Sequence, residues 1–195
     1  GCETMTLAQR SEDATAALAA LADVLGAPAS GPSQPLKVAD AAPSGPLTPQ
    51  SAGVSIARHL PEGAIICDDS VTSGGGIAVP CATARAHDVL ALTGGAIGIG
   101  GPLAIGAATA APDRKVLSLN GDGSAMYTVQ SLWTMARENQ DVTVVVFANH
   151  SYRILNIEMG RTGSGNPGPS ASQLLDLGNP EALEWLCTHV GDMIE

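Results

Sequence analysis

VLSLNGDGSAMYTVQSLWTMARENQDVTVVVFANHSYRIL, residues 116–155, decides the fold of this 195-residue chain. It opens on a short apolar run, 116–122, that ends at Asp122, directly before Gly123-Ser124 and a helical pattern over 125–139. A second run, VTVVVFAN (142–149), follows. Neither run alternates apolar with polar residues, which predicts strands covered on both faces. Strand, helix and strand in that order predict a parallel pair joined by a right-handed crossover.

Working outward, AIICDD (64–69) and VLALT (89–93) have the same character, and PLAIGAATAA (102–111) supplies another helix between strands. The alternation predicts an α/β chain with a doubly wound parallel sheet. Thr48-Pro49 is an N-cap followed by proline at the first helical position, opening a helix that stops before Pro61. NPEALEWLCTHVG (179–191) reads as a last helix capped by Asn179. No strand follows it, so the sheet is expected to be truncated at its C-terminus. Near the start, Ser11 is expected to cap a helix with Glu12 and Asp13 at its positive end. Leu18, Leu21 and Leu25 form its stripe, and Gly26 and Pro28 stop it. One helix cannot bury its own stripe. Residues 1–30 therefore read as the tail of a preceding domain, 31–47 as a Pro- and Ser-rich linker, and 48–195 as the main, incomplete domain.

Composition narrows the classes. Hydrophobic residues make up 45% of the chain, but with two Trp, two Tyr and one Phe the core must be built from Ala, Val, Ile and Leu. A net charge of −10 argues against a nucleic-acid or anionic-membrane surface, which would need clustered Lys and Arg. There is no secretory signal and no apolar stretch of about 18 residues, so the expected location is cytoplasmic. Cys2, Cys67, Cys81 and Cys187 form no C-x-x-C pair and read as reduced thiols. A dinucleotide-binding reading of the Gly-rich run fails on spacing, because G-x-G-x-x-G counted from Gly98 would need glycine where Leu103 stands.

The chemistry gathers around Asp122. Ligand sites in open α/β sheets lie at the carboxyl ends of strands, where Asp122 is expected. Gly121 and Gly123 allow a sharp turn and close approach to a ligand, and the following helix start offers free N–H groups to a phosphate. Twenty-five residues separate Gly123 from Asn149, enough for one helix and a return strand, so Asn149 should come back beside Asp122. A carboxylate and an amide oxygen are hard ligands suited to Mg²⁺ or Ca²⁺, with phosphate oxygens and water completing the shell. The plainer alternatives are a helix N-cap for Asp122 and a strand-end turn for Asn149.

GDG, about 25 residues and then Asn resembles the signature of thiamine-diphosphate enzymes. LTGGAIGIGGPLAIGAA (92–108), GDGSAMYTVQSLWTMAREN (121–139) and ANHSYRILNIEMGRTG (148–163) extend the resemblance to the acetolactate synthase and benzoylformate decarboxylase group. It covers roughly residues 48–195, with residues 1–47 fitting the end of that group's middle domain. The resemblance implies thiamine diphosphate and Mg²⁺ as cofactors and leaves FAD open. It implies Asp122, Asn149 and the carbonyl of Ser151 as metal ligands, and Gly123, Ser124 and Thr72 as diphosphate contacts. Ile97 falls where the group places a bulky apolar residue under the cofactor.

The implied activity is decarboxylation or carboligation of 2-keto acids, acetolactate synthase-like, by a homo-oligomer. The alternatives are a benzoylformate-type decarboxylase and a catalytically silent cofactor-binding fragment. The group's activating glutamate belongs to a pyrimidine-binding domain that these residues do not include, so the chain by itself is expected to be inactive. His150 is the histidine to watch, because it flanks the metal loop. Ala148 departs from the paired Asn-Asn common in the group without removing the coordinating Asn149.

Overall fold

The structure, a computed structural model, describes residues 3–29 and 41–178. The expected helix over 179–191 lies outside the described residues. The chain divides into two compact units, Gly1–Pro35 and Leu36–Glu195.

The first unit carries α1 (Ala14–Val24). Its cap is Asp13 rather than Ser11: Asp13 Oδ1 accepts the N–H groups of Thr15 and Ala16 at 2.9 and 3.0 Å. A carboxylate here satisfies two orphan donors and meets the positive helix end, which a serine two residues earlier cannot reach. Gly26, at φ +62°, ends the helix. Its N–H bonds Asp23 and that of Ala27 bonds Ala22, the paired 5→2 and 6→1 closure of a Schellman turn. Leu18 and Leu25 are exposed, so the apolar stripe is largely uncovered.

The second unit begins with α2 (Pro49–His59), whose Thr48 and Ser51 exchange reciprocal capping bonds. Among the described residues four strands follow: β1 (Ile65–Asp69), β2 (Asp88–Ala91), β3 (Val116–Gly121) and β4 (Val142–Phe147). All pair in parallel, in the order β2-β1-β3-β4. Successive side chains of a strand face opposite ways, so β1 and β3 feed two cores. Ile66, Leu117 and Leu119 pack with Leu60, Ile77 and Cys81, on the side of α2 and α3 (Gly74–Cys81). Ile65, Cys67 and Val116 pack with Ala104, Ala107 and Met135, on the side of α4 (Gly100–Ala110) and α6 (Ser131–Arg137).

Among the described residues, coverage on both faces holds for β1 and β3 only. β2 is exposed throughout and β4 in part, because each is an edge of the four-stranded sheet. The helical pattern over 125–139 is also two helices, not one: α5 (Asp122–Tyr127) and α6, broken at Thr128. Thr128 leaves helical geometry (φ −140°, ψ 36°), and its hydroxyl donates to the carbonyl of Gly98 at 2.7 Å, pinning the break to the Gly-rich segment. α3 is absent from the sequence reading, since three glycines and an internal proline hide it. Two further helices, α7 (Arg153–Arg161) and α8 (Pro169–Leu175), follow β4.

Candidate functional site

In the order β2-β1-β3-β4 the chain winds one way from β1 and the other way from β3, so the sheet's switch point lies between those two neighbouring strands. A shallow, open cleft lies there. Ser70, Val71 and Thr72 line it from the end of β1, and Gly121, Asp122, Gly123 and Ser124 from the end of β3. Ile97 joins from the Gly-rich segment, and Asn149, Ser151, Tyr152, Arg153 and Ile154 from the segment after β4. All seven residues singled out in the sequence, Thr72, Ile97, Asp122, Gly123, Ser124, Asn149 and Ser151, therefore line one cleft.

Asp122 is the first residue of α5, just past the end of β3. Its Oδ1 accepts the N–H of Gly123 at 2.9 Å, and its Oδ2 accepts the N–H of His150 at 2.6 Å. Asn149 lies two residues beyond β4, and its Oδ1 accepts the N–H of Ser151 at 3.0 Å, an Asx turn. The Ser151 carbonyl accepts the N–H of Arg153 at 2.7 Å around Tyr152 (φ −70°, ψ 59°), an inverse γ-turn. Asn149 thus has its turn role, whereas Asp122 does not cap α5, whose N-cap is Gly121, and its carboxylate instead ties two main-chain N–H groups. Each of these bonds occupies one lone pair, and an sp² oxygen has two.

The loop is braced from behind. Ser151 bridges to Asp176, with the N–H of Tyr152 on the Leu175 carbonyl at 3.0 Å and that of Leu177 on the His150 carbonyl at 2.9 Å. Val71 (φ +47°) and His150 (φ +55°) are two non-glycine residues in left-handed geometry, and both flank the cleft. Such geometry costs of order 1–3 kcal/mol per residue and gathers at functional sites. For a β-branched valine it is a true outlier.

Gly123 is buried, and a Cβ there would stand 2.7 Å from Tyr152 Cδ1, so only glycine admits the tyrosine ring. That ring meets Tyr127 edge-on at 6.1 Å. Burial, then the neighbouring Tyr127 and the Asp122 carboxylate, raise the Tyr152 pKa, which keeps its hydroxyl protonated.

A metal ion fits this donor set on chemical grounds. Among the described residues no group of three His, Cys, Asp or Glu could hold a metal by itself. The cleft instead offers a carboxylate, an amide oxygen and a main-chain carbonyl, all hard oxygen donors. These leave positions for phosphate oxygens and water in a six-coordinate shell. His150 does not line this cleft; its side of the loop faces a neighbouring hollow with Asn156 and Asp176. Ser70, Val71, Tyr152, Arg153 and Ile154 are lining residues that the sequence reading did not single out. Their place follows from the switch point and from the turn at 149–153, neither of which spacing reveals.

Comparison with known proteins agrees with the geometry. Residues 73–181 match the family described as thiamine pyrophosphate enzyme, C-terminal TPP binding domain. The acetolactate synthase large subunit-like protein IlvX of Mycobacterium tuberculosis is 51% identical over 187 residues, covering 92% of this chain and 35% of that protein. An alpha-keto-acid decarboxylase of Mycobacterium tuberculosis is 35% identical over 121 residues, covering 62% of this chain and 22% of the relative. Among solved structures, the Rhodococcus jostii RHA1 thiamine diphosphate-dependent 4-hydroxybenzoylformate decarboxylase superposes with a TM-score of 0.65 at 26% identity. That match covers 83% of this chain and 30% of the decarboxylase. The chain thus spans about a third or less of the length of these relatives. The matched region contains six of the seven residues that the sequence analysis named, and Thr72 lies one residue before it. Fold and family model agree, and the chain belongs to the thiamine pyrophosphate enzymes, in their C-terminal TPP-binding domain.

Proposed function

We propose that this chain anchors the diphosphate of thiamine diphosphate, through Mg²⁺, in an enzyme that decarboxylates or carboligates 2-keto acids in the manner of acetolactate synthase. The supporting observation is that one cleft at the switch point gathers Thr72, Ile97, Asp122, Gly123, Ser124, Asn149 and Ser151. Asp122, the Asn149 amide oxygen and the Ser151 carbonyl would hold the metal. Gly123 brings bare backbone to the phosphates, Ser124 and Thr72 offer hydroxyls, and Ile97 supplies an apolar floor. Bound thiamine diphosphate supplies an electron sink for the carbon that loses carbon dioxide. The protein's part is orientation and charge compensation.

We also infer that residues 1–30 are the tail of a middle domain and 31–47 its linker, of which 1–2 and 30–40 lie outside the described residues. A benzoylformate-type decarboxylase is the second reading, favoured by the structural likeness to the 4-hydroxybenzoylformate decarboxylase. Calorimetric titration with thiamine diphosphate, in Mg²⁺ and then in excess chelator, tests the anchor. Binding should need the metal, and thiamine without its diphosphate should bind far more weakly. Equal binding of the two ligands would overturn the proposal.

A further inference from the structure

Asp69 closes β1 as a fully buried carboxylate, 0% exposed, behind the cleft rather than in its lining. Its Oδ2 accepts two main-chain N–H groups, from Gly98 at 2.8 Å and from Gly100 at 3.1 Å. Its Oδ1 has no hydrogen-bond partner among the described residues. From the other side the Thr128 hydroxyl donates to the Gly98 carbonyl at 2.7 Å, and the Ser118 hydroxyl to the Gly100 carbonyl at 3.2 Å. Both N–H groups and both carbonyls of these two glycines are thus tied to side chains of β1, β3 and the α5–α6 joint.

The packing leaves the segment no room to slide. Gly98 sits at φ +93°, and a Cβ there would stand 2.6 Å from Tyr127 Cβ. At Gly100 a Cβ would stand 2.3 Å from Asn120 Oδ1 and 2.7 Å from Asp69 Cβ. A buried carboxylate with an unpaired oxygen lowers stability, so Asp69 is poorly explained as a stabilising residue. Its effect is geometric: it sets where the backbone beside Ile97 lies, and Ile97 lines the cleft.

We propose that Asp69 and Thr128 are positioning residues, a bracket that grips Gly98 and Gly100 from two sides and thereby sets how far Ile97 projects toward the bound cofactor. This rests on the reading of the cleft as a thiamine-diphosphate site. The bracket also ties that floor to the α5–α6 joint, and α5 carries Asp122 and Ser124 at its start. Metal ligand and apolar floor are therefore held in register by one set of hydrogen bonds.

The test uses Asp69→Asn, Thr128→Val and Thr128→Ser in the 195-residue chain. Asparagine can still accept both N–H groups, but without the charge that strengthens them. Amide hydrogen exchange is read at Ile97, whose N–H bonds Gly95 and not Asp69, and so reports the segment rather than the lost bond. In Asp69→Asn and Thr128→Val, exchange at Ile97 should quicken by about tenfold, against unchanged β1 and β3 amides. Thr128→Ser should restore it. The melting temperature of Asp69→Asn should hold or rise, the opposite of what a structural anchor would show. Affinity for thiamine diphosphate with Mg²⁺ should fall in both variants, but not fall further when either is combined with Ile97→Ala.

Unchanged exchange at Ile97, a uniform rise across the sheet with a lower melting temperature, or losses that add to Ile97→Ala would each overturn the bracket. A wild-type chain that takes up no thiamine diphosphate would instead sink the functional reading, an outcome that the exchange pattern separates from failure of the bracket.

Discussion

Asp122 Oδ2 accepts the backbone N–H of His150 at 2.6 Å, joining the end of β3 to the loop after β4 across 28 positions of sequence. The bond makes Asp122 more than a ligand. It also holds the loop that carries Asn149 and Ser151, so removing the carboxylate loosens the other two donors. Loss of residues that merely orient metal ligands costs 10–100-fold in affinity. Asp122→Ala should therefore weaken Mg²⁺-dependent binding of thiamine diphosphate by about 100-fold or more. Calorimetry measures this, and an unchanged affinity would show that the metal site lies elsewhere.

Gly123 and Tyr152 should behave as one unit. A methyl group at Gly123 would enter the tyrosine ring, whose nearest carbon is 2.7 Å from the Cβ position. Gly123→Ala should cost about 1–3 kcal/mol of stability by overpacking. Combining it with Tyr152→Ala should recover part of that loss, because the obstructing ring is gone. Denaturant unfolding of the two single variants and the double variant gives the coupling. Strict additivity would mean that the close approach is relieved by other routes.

The thiols of Cys67 and Cys81 report on pH. Burial lifts both pKa values from 9.0 to about 11, with the Asp68 carboxylate adding to the effect at Cys81. A pKa raised in the folded state means that the protonated thiol is what folding favours. This contribution to stability is fully present below pH 9 and is lost as pH rises through 9 toward 11. Unfolding midpoints should fall across that window and lose that fall in a Cys67→Ala, Cys81→Ala double variant. At pH 8 alkylation of both thiols should be slow until the chain unfolds.

Turnover should be absent from the 195-residue chain acting alone. Among the described residues the cleft lining contains no His, Glu or Lys, and both oxygens of its one carboxylate there already accept main-chain N–H groups. A positioned base contributes typically 10²–10⁴-fold to a rate. Carbon dioxide release from pyruvate or benzoylformate, with thiamine diphosphate and Mg²⁺ saturating, should match the protein-free rate. His150→Ala should change nothing, since His150 lines the neighbouring hollow and not the cleft. Turnover that His150→Ala removes would place the base on this loop after all.

Residues 116–155 alone determined the α/β class, the neighbouring strands β3 and β4, and the return of Asn149 to the cleft that Asp122 lines. An apolar run without alternation marks a strand, covered on both faces in β3 but not at the edge strand β4, and the crossover length leaves one way back to the neighbouring strand. The N-cap at Thr48 was legible because its signal, threonine followed by Pro49, is local, whereas the return bond from Ser51 appears only in the structure. What lies between the strands was not legible. The break at Thr128 depends on the carbonyl of Gly98, 30 positions earlier, and the chemistry of Asp69 on two amides 29 and 31 positions later. Tyr152 enters the cleft only because Gly123 leaves room for its ring. Periodicity records which way a residue faces along its own element. Which backbone group meets it from another element is decided by the closing of the sheet at its switch point, and only the tertiary structure holds that information.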